Sequence, residues 1–204
     1  MSNISMTTSK RNAIVTVMLI SAFVSMLNQT ILNTALPAII KGLNITETTA
    51  QWLITGFMLV NGIMIPLTAF LMDKYSTRHL YIFSMAIFLI GSIVAAFSPT
   101  FSILMISRII QAIGAGILLP LMQFTVFMLF PAEQRGFAMG LAGVVVQSAP
   151  AIGPTLTGLF VDLFSWRMPF YLVSAIAAVA FILGFFFVEN NTKTKDIVLD
   201  KISV

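Results

Sequence analysis

The sequence predicts an all-α membrane protein of six transmembrane helices, and three observations carry that expectation. Of 204 residues, 58% are hydrophobic and only 9% are charged, with a mean hydropathy of +1.00. A soluble domain carries about 25% charged residues, so this chain lacks the charge to cover a water-facing surface. Cutting it at its charges leaves the uncharged stretches Asn12–Ile40, Ala50–Met72, Leu80–Phe97, Ile109–Ala132, Gly136–Val161 and Met168–Val188, each near the roughly 20 residues that one crossing needs. Threading the chain through the bilayer gathers Lys10, Arg11, Lys74, Arg78, Arg135, Lys193, Lys195 and Lys201 on one side and only Lys41 and Arg167 on the other. The positive-inside rule then places both termini in the cytoplasm.

The expected organisation is a cytoplasmic N-terminus at 1–12, a six-helix transmembrane domain at 13–188, and a cytoplasmic tail at 189–204 that reads as the lead-in to a further span. Spans are placed at 13–38, 50–72, 80–97, 102–130, 136–161 and 168–188. The turns between them are short, so sequential helices are expected to be antiparallel neighbours.

Span one is built of Val, Leu, Ile and Met around the polar group Asn28-Gln29-Thr30 and Asn33. Gln29, Asn33 and Pro37 recur every four residues and so share one helical face. Two readings fit: amides that glue helices together at about 0.6 kcal/mol each, or a stripe that lines a wet cavity. The second span is apolar up to Asp73, and the third runs from Leu80 to the break at Ser98-Pro99-Thr100.

The fourth span is expected to begin near Phe101, ahead of its uncharged run, and so to carry Arg108 inside the membrane. A central arginine costs about 2.5–3.5 kcal/mol, which a dozen apolar residues at about −0.3 to −0.6 kcal/mol each outweigh. At roughly 10 Å from the outer end, Arg108 can either snorkel to the interface or work within the bundle with Gln111, one turn along the same face. Ala112, Gly114, Ala115 and Gly116 would admit another helix closely. In the fifth span, Gln147, Pro150, Ala151, Pro154 and Gly158 fall on one face, where two prolines free backbone carbonyls and are expected to kink the helix. The sixth is an uninterrupted apolar run.

Several chemistries are excluded. There is no cysteine and a single histidine, His79, so neither a disulfide framework nor a metal site is expected, and no cofactor is implied. No Asp or Glu lies within the six stretches. They therefore hold no obvious proton carrier and no base that could activate a serine for hydrolysis. The pI near 9.7 is accounted for by basic residues at span ends, without nucleic acid.

Several motifs resemble the major facilitator superfamily, specifically the N-terminal half of its drug:proton antiporter branch with fourteen spans. Asn28-Gln29-Thr30-Ile31-Leu32-Asn33-Thr34-Ala35-Leu36-Pro37 resembles that branch's span-one motif LDxTIVNVALP, with Asn28 where an aspartate is common. The turn from Ala69 to Arg78 is similar to the signature GxLaDrxGrR: Asp73, Lys74 and Arg78 match, whereas Ala69, Ser76 and Thr77 depart. Arg108 and Gln111 match RxxqG, with Ala112 replacing its glycine, and Gly153, Pro154 and Gly158 match the antiporter motif gxxxGPxxGG.

The resemblance implies the six-helix half of the major facilitator fold, a 3+3 inverted repeat. It implies multidrug efflux by proton-coupled antiport in the plasma membrane, with hydrophobic or cationic drug-like molecules, protons, the lipid bilayer and a C-terminal half as partners. Asn28, Asn33, Arg108, Gln111 and Gln147 would line the substrate and proton path. Pro150, Gly153, Pro154 and Gly158 would form the antiporter kink, and Asp73, Lys74 and Arg78 a cytoplasmic gate. Lys74 and Arg78 also fit a plainer role as topology anchors. The chain reads as a truncated or N-terminal half; a homodimer in which a second copy replaces the missing half, and a non-transporting fragment or assembly partner, are the alternatives.

Overall fold

The structure, a computed structural model, describes residues 8–188; the expected tail at 189–204, with Lys193, Lys195 and Lys201, lies outside them. Six helices follow one another: α1 (Thr8–Leu43), α2 (Glu47–Lys74), α3 (Thr77–Ala96), α4 (Phe101–Leu129), α5 (Ala132–Leu163) and α6 (Met168–Phe187). All six are long and apolar enough to cross a membrane.

The helices stop at caps rather than at charges, which is why several overrun the expected spans. α1 begins before Lys10 and continues through Pro37 and Lys41, because a proline inside a helix removes one hydrogen bond and the rest of the ladder carries on. It ends at Asn44, whose φ of 51° is left-handed, while Ile45 N–H reaches back to the Ile40 carbonyl at 3.2 Å. This is a Schellman end with asparagine in the glycine position. Thr46 then caps α2, its Oγ1 accepting from Thr49 N–H at 3.2 Å. Ser76 and Thr100 cap α3 and α4 in the same way. Pro131 stands before α5 with φ of −62°, so that helix starts at Ala132 rather than at 136.

Prolines inside the helices are absorbed locally. α5 is one continuous helix through Pro150 and Pro154. In α4, Pro120 leaves the Gly116 carbonyl without its intrahelical donor. Thr68 Oγ1 of α2 lies 3.3 Å from that oxygen and 2.7 Å from its own Met64 carbonyl, the kind of hydroxyl rescue that makes proline tolerable at membrane depth.

The packing corrects one expectation. Of the sequential pairs, only α3 and α4 pack extensively; α1–α2, α2–α3, α4–α5 and α5–α6 touch lightly. The other main contacts are α2–α4, α1–α5, α3–α6, α1–α6 and α1–α4. Short turns fix direction but not adjacency, because small residues elsewhere permit closer approaches. A Cβ at Gly114 would stand 2.5 Å from the Ser84 carbonyl oxygen and 2.8 Å from Phe88 Cβ on α3, and one at Gly184 on α6 would overlap the Tyr81 ring. The set of packed pairs is unchanged when α1, α2 and α3 are exchanged with α4, α5 and α6. That is the signature of a 3+3 repeat, and three crossings per repeat turn the second trio upside down relative to the first.

α1 and α4 are the most buried helices, whereas α2 and α5 keep one face open. Five glycines have nothing near a would-be Cβ, and all lie on those two helices: Gly62 on α2, and Gly136, Gly140, Gly143 and Gly158 on α5. Gly114→Val should therefore destabilise the six-helix body by about 1–3 kcal/mol through overpacking, while Gly62→Ala and Gly140→Ala leave it unchanged. Thermal unfolding of the three variants in one detergent checks this.

Candidate functional site

The centre of the molecule is a polar cluster where α1, α3 and α4 meet. α4 places Arg108 and Gln111 three residues apart, hence on one face, and Arg108 is 1% exposed and Gln111 fully buried. Nη1 of Arg108 donates to Gln111 Oε1 at 2.8 Å, and Nδ2 of Asn28 from α1 donates to the same oxygen at 3.3 Å. Gln111 Nε2 in turn donates to Ser92 Oγ at 3.0 Å, and Ser92 Oγ donates to the Phe88 carbonyl at 2.8 Å. Glycine makes the approach possible: a Cβ at Gly91 would stand 2.8 Å from the Gln111 backbone nitrogen.

This geometry decides between the two readings of Arg108. The side chain does not snorkel; its guanidinium carbon sits 4.1 Å from the centroid of the Phe57 ring on α2, deep among four helices. Among the described residues it meets no carboxylate, and its Nε has no hydrogen-bond partner; neither has Asn28 Oδ1. The cluster is thus a fixed positive charge held by a neutral amide and a ring face, with donor and acceptor capacity to spare.

Beside it, α1, α2 and α4 enclose a cavity of about 300 Å³, with Ser25, Gln29 and Asn61 among Met26, Phe57, Met58 and Leu119. A second of about 180 Å³ lies between α1, α4 and α5, with Gln123 and Gln147 in its wall. The repeat exchanges the two sets of walls, and Met26 and Leu119 border both. Gln29 and Asn33 share a space of about 10 Å³ with Arg108, enough for about one water-sized group.

The remaining expected residues are dispersed. Asn33 and Gln147 are exposed on open faces, in separate cavities, and only Asn28, Arg108 and Gln111 form one hydrogen-bonded unit. In α5, Pro150, Pro154 and Gly158 lie on the less covered side, whereas Gly153 faces α1, where a Cβ would meet Thr30 and Leu27. Asp73 and Lys74 are exposed at the end of α2. Arg78 instead reaches the end of α6, its Nη2 donating to the Phe185 carbonyl at 3.1 Å, and no ion pair joins it to Asp73 among the described residues. Sequence reasoning missed Ser92 and Phe57. Ser92 was legible as one of the few hydroxyls in an apolar span, but nothing in the sequence distinguishes Phe57 from the other phenylalanines. It also missed Tyr81, whose hydroxyl donates to the Ala180 carbonyl at 2.9 Å and lies 2.7 Å from Ser21 Oγ, joining α1, α3 and α6.

Inverted trios of membrane-length helices, a buried polar cluster where α1, α3 and α4 meet and cavities beside it define one half of a membrane transporter. Residues 18–201 match the Major Facilitator Superfamily, and the chain belongs to that family, whose members are transporters rather than enzymes. It is 50% identical to the MFS-type transporter YcnB of Bacillus subtilis, over 95% of this chain and 41% of that protein. It is 39% identical to the lincomycin resistance protein LmrB of the same organism, over 92% of this chain and 39% of the relative. With the probable multidrug resistance protein EmrY of Escherichia coli the identity is 35%, over 75% and 30%. The chain therefore spans less than half the length of these relatives.

Removing the acceptor at the hub has a definite cost. Gln111→Leu deprives Arg108, Asn28 and Ser92 of a partner at once and should lower stability by about 3 kcal/mol or more. Asn28→Leu, which removes one long hydrogen bond, should cost about 1 kcal/mol. Denaturant titration of both variants in the same micelle gives the comparison.

Proposed function

We propose that this chain supplies the N-terminal half of a multidrug exporter that works by proton-coupled antiport and alternating access, in the plasma membrane with both termini in the cytoplasm. The observation that carries this reading is the buried Arg108–Gln111–Asn28 unit at the α1–α4 contact, directly beside the 300 Å³ cavity. The drug-resistance names of the relatives support the substrate class, hydrophobic or cationic drug-like molecules.

Within this reading the residues divide the work. The cavity walls are apolar with a few neutral amides and a hydroxyl, which suits molecules recognised by shape and partial charge. Asn33 and Gln147 would face the path from the open sides. Asp73, Lys74 and Arg78 would form the gate at the cytoplasmic end, and Pro150, Gly153, Pro154 and Gly158 the antiporter segment. The uncovered faces of α2 and α5, with their five open glycines, offer close backbone approach to helices of a C-terminal half. The acid that carries the proton would belong to that half, since the described helices offer none at membrane depth.

Two experiments test the reading. Dye efflux from vesicles should require co-expression of this chain with a C-terminal half, and Arg108→Ala should abolish it; full efflux by the Arg108→Ala protein removes the assigned role, and efflux by the chain alone would mean that two copies suffice. For orientation, single cysteines placed in this cysteine-free chain should react with an impermeant maleimide on intact cells at Thr100→Cys, but at Glu133→Cys only after permeabilisation.

A further inference from the structure

We propose that Phe57 is the electrostatic partner of Arg108, its ring face standing where a buried cation would otherwise need a carboxylate, and that the same ring screens this charge from the 300 Å³ cavity. Phe57 is thus a positioning residue for the arginine.

The first support is geometric. The guanidinium carbon lies 4.1 Å from the ring centroid, well inside the roughly 6 Å within which a ring quadrupole attracts a cation. Both partners are withdrawn from solvent, Phe57 at 2% and Arg108 at 1% exposure, and desolvation strengthens the attraction. The second support is what Arg108 otherwise has. One N–H goes to a neutral amide oxygen at 2.8 Å, Nε has no partner, and no acid lies within the uncharged stretches. A buried guanidinium does not shed its proton, so something must offset its desolvation, and the Phe57 ring face lies directly against it.

The third support is placement. Gly56, next to Phe57, lies against the end of the Met105 side chain of α4, so α2 and α4 are in contact beside the ring. Phe57 also belongs to the walls of both the large cavity and the small space shared by Arg108, Gln29 and Asn33. One side chain therefore separates a neutral cavity from a fixed positive charge. Its removal would open that charge to whatever occupies the cavity.

Fluorinated phenylalanines test this directly, because each fluorine drains negative potential from the ring face with little change of shape. The whole chain in lipid nanodiscs, carrying mono-, di- and trifluorophenylalanine at position 57, should lose unfolding temperature stepwise, by about 2–4 °C across the series, and the trend should vanish in an Arg108→Met background. A flat series, or the same slope with and without the arginine, overturns the proposal. Should Arg108→Met not fold, labelling by phenylglyoxal read at the Arg108 peptide decides the matter. Phe57→Leu should speed modification about ten-fold while Phe57→Trp stays as protected as the native chain. Equal rates in the leucine variant overturn the screening role. Neither readout requires transport, so failure here is distinct from failure of the exporter reading.

Discussion

A buried guanidinium that meets no carboxylate among the described residues sets the terms for the middle of this protein. Arg108 keeps its charge at every physiological pH, so the fold must bring neutral acceptors and polarisable surface to it. Gln111 Oε1 does this, but an amide free to rotate would offer its NH₂ as readily as its oxygen. Ser92 fixes the orientation by accepting from Nε2, and Asn28 adds a second donor to the oxygen. Those partners come from α3 and α1, so two helices must converge on one turn of α4. Gly91 and Gly114 supply the clearance along α3 and α4, and α2 places Phe57 over the remaining face. The glycines of the core are thus consequences of the arginine as much as of membrane packing in general.

The inverted repeat explains why the polar cluster has cavities on both flanks. Exchange of the trios carries the α1–α2–α4 cavity onto the α4–α5–α1 cavity, and Met26 of α1 and Leu119 of α4 stand between them. The repeat is broken at the arginine: the α4 side carries the charge, whereas the α1 side carries amides. One cavity therefore lies against a shielded cation, and the other is lined by Gln123 and Gln147 without one. Two equivalent spaces with unlike electrostatics give a symmetric fold a direction.

The six crossings were legible because hydropathy acts along the chain. The motif residues Asn28, Arg108 and Gln111 were legible because polar groups are conspicuous in apolar helices. Adjacency was not. That α2 packs on α4 rather than on α3 depends on which residues the small positions face, Gly116 of α4 lying against Met64 and Asn61 of α2, and a turn's length carries no information about it. Phe57 was invisible for a related reason, since an aromatic residue in a lipid-compatible helix has no local feature that marks it as facing a cation. Asn44 likewise ends α1 through its left-handed backbone, a role that hydropathy and charge do not mark.

The two basic residues on the sparse side looked like exceptions to the charge rule, but Arg167 has a structural reason to be there. It opens α6 and donates to the Ser98 carbonyl just beyond α3 at 2.9 Å, its guanidinium 4.1 Å from the Trp166 ring centroid. Arg78 is its counterpart at the other end: it opens α3, donates to the Phe185 carbonyl near the end of α6, and lies 5.6 Å from the Phe185 ring centroid. Exchange of α3 with α6 turns one clamp into the other. Each places a cation at the C-terminal end of the partner helix, where orphan carbonyls and the helix dipole favour it. Arginine suits the task better than lysine, because its flat, weakly hydrated face rests on a ring while in-plane N–H groups reach the carbonyl. Arg135, over Phe127 and bonded to the Phe130 carbonyl at the end of α4, repeats the chemistry. In a chain with almost no charge to spare, Arg78, Arg135 and Arg167 thus each close the end of a helix.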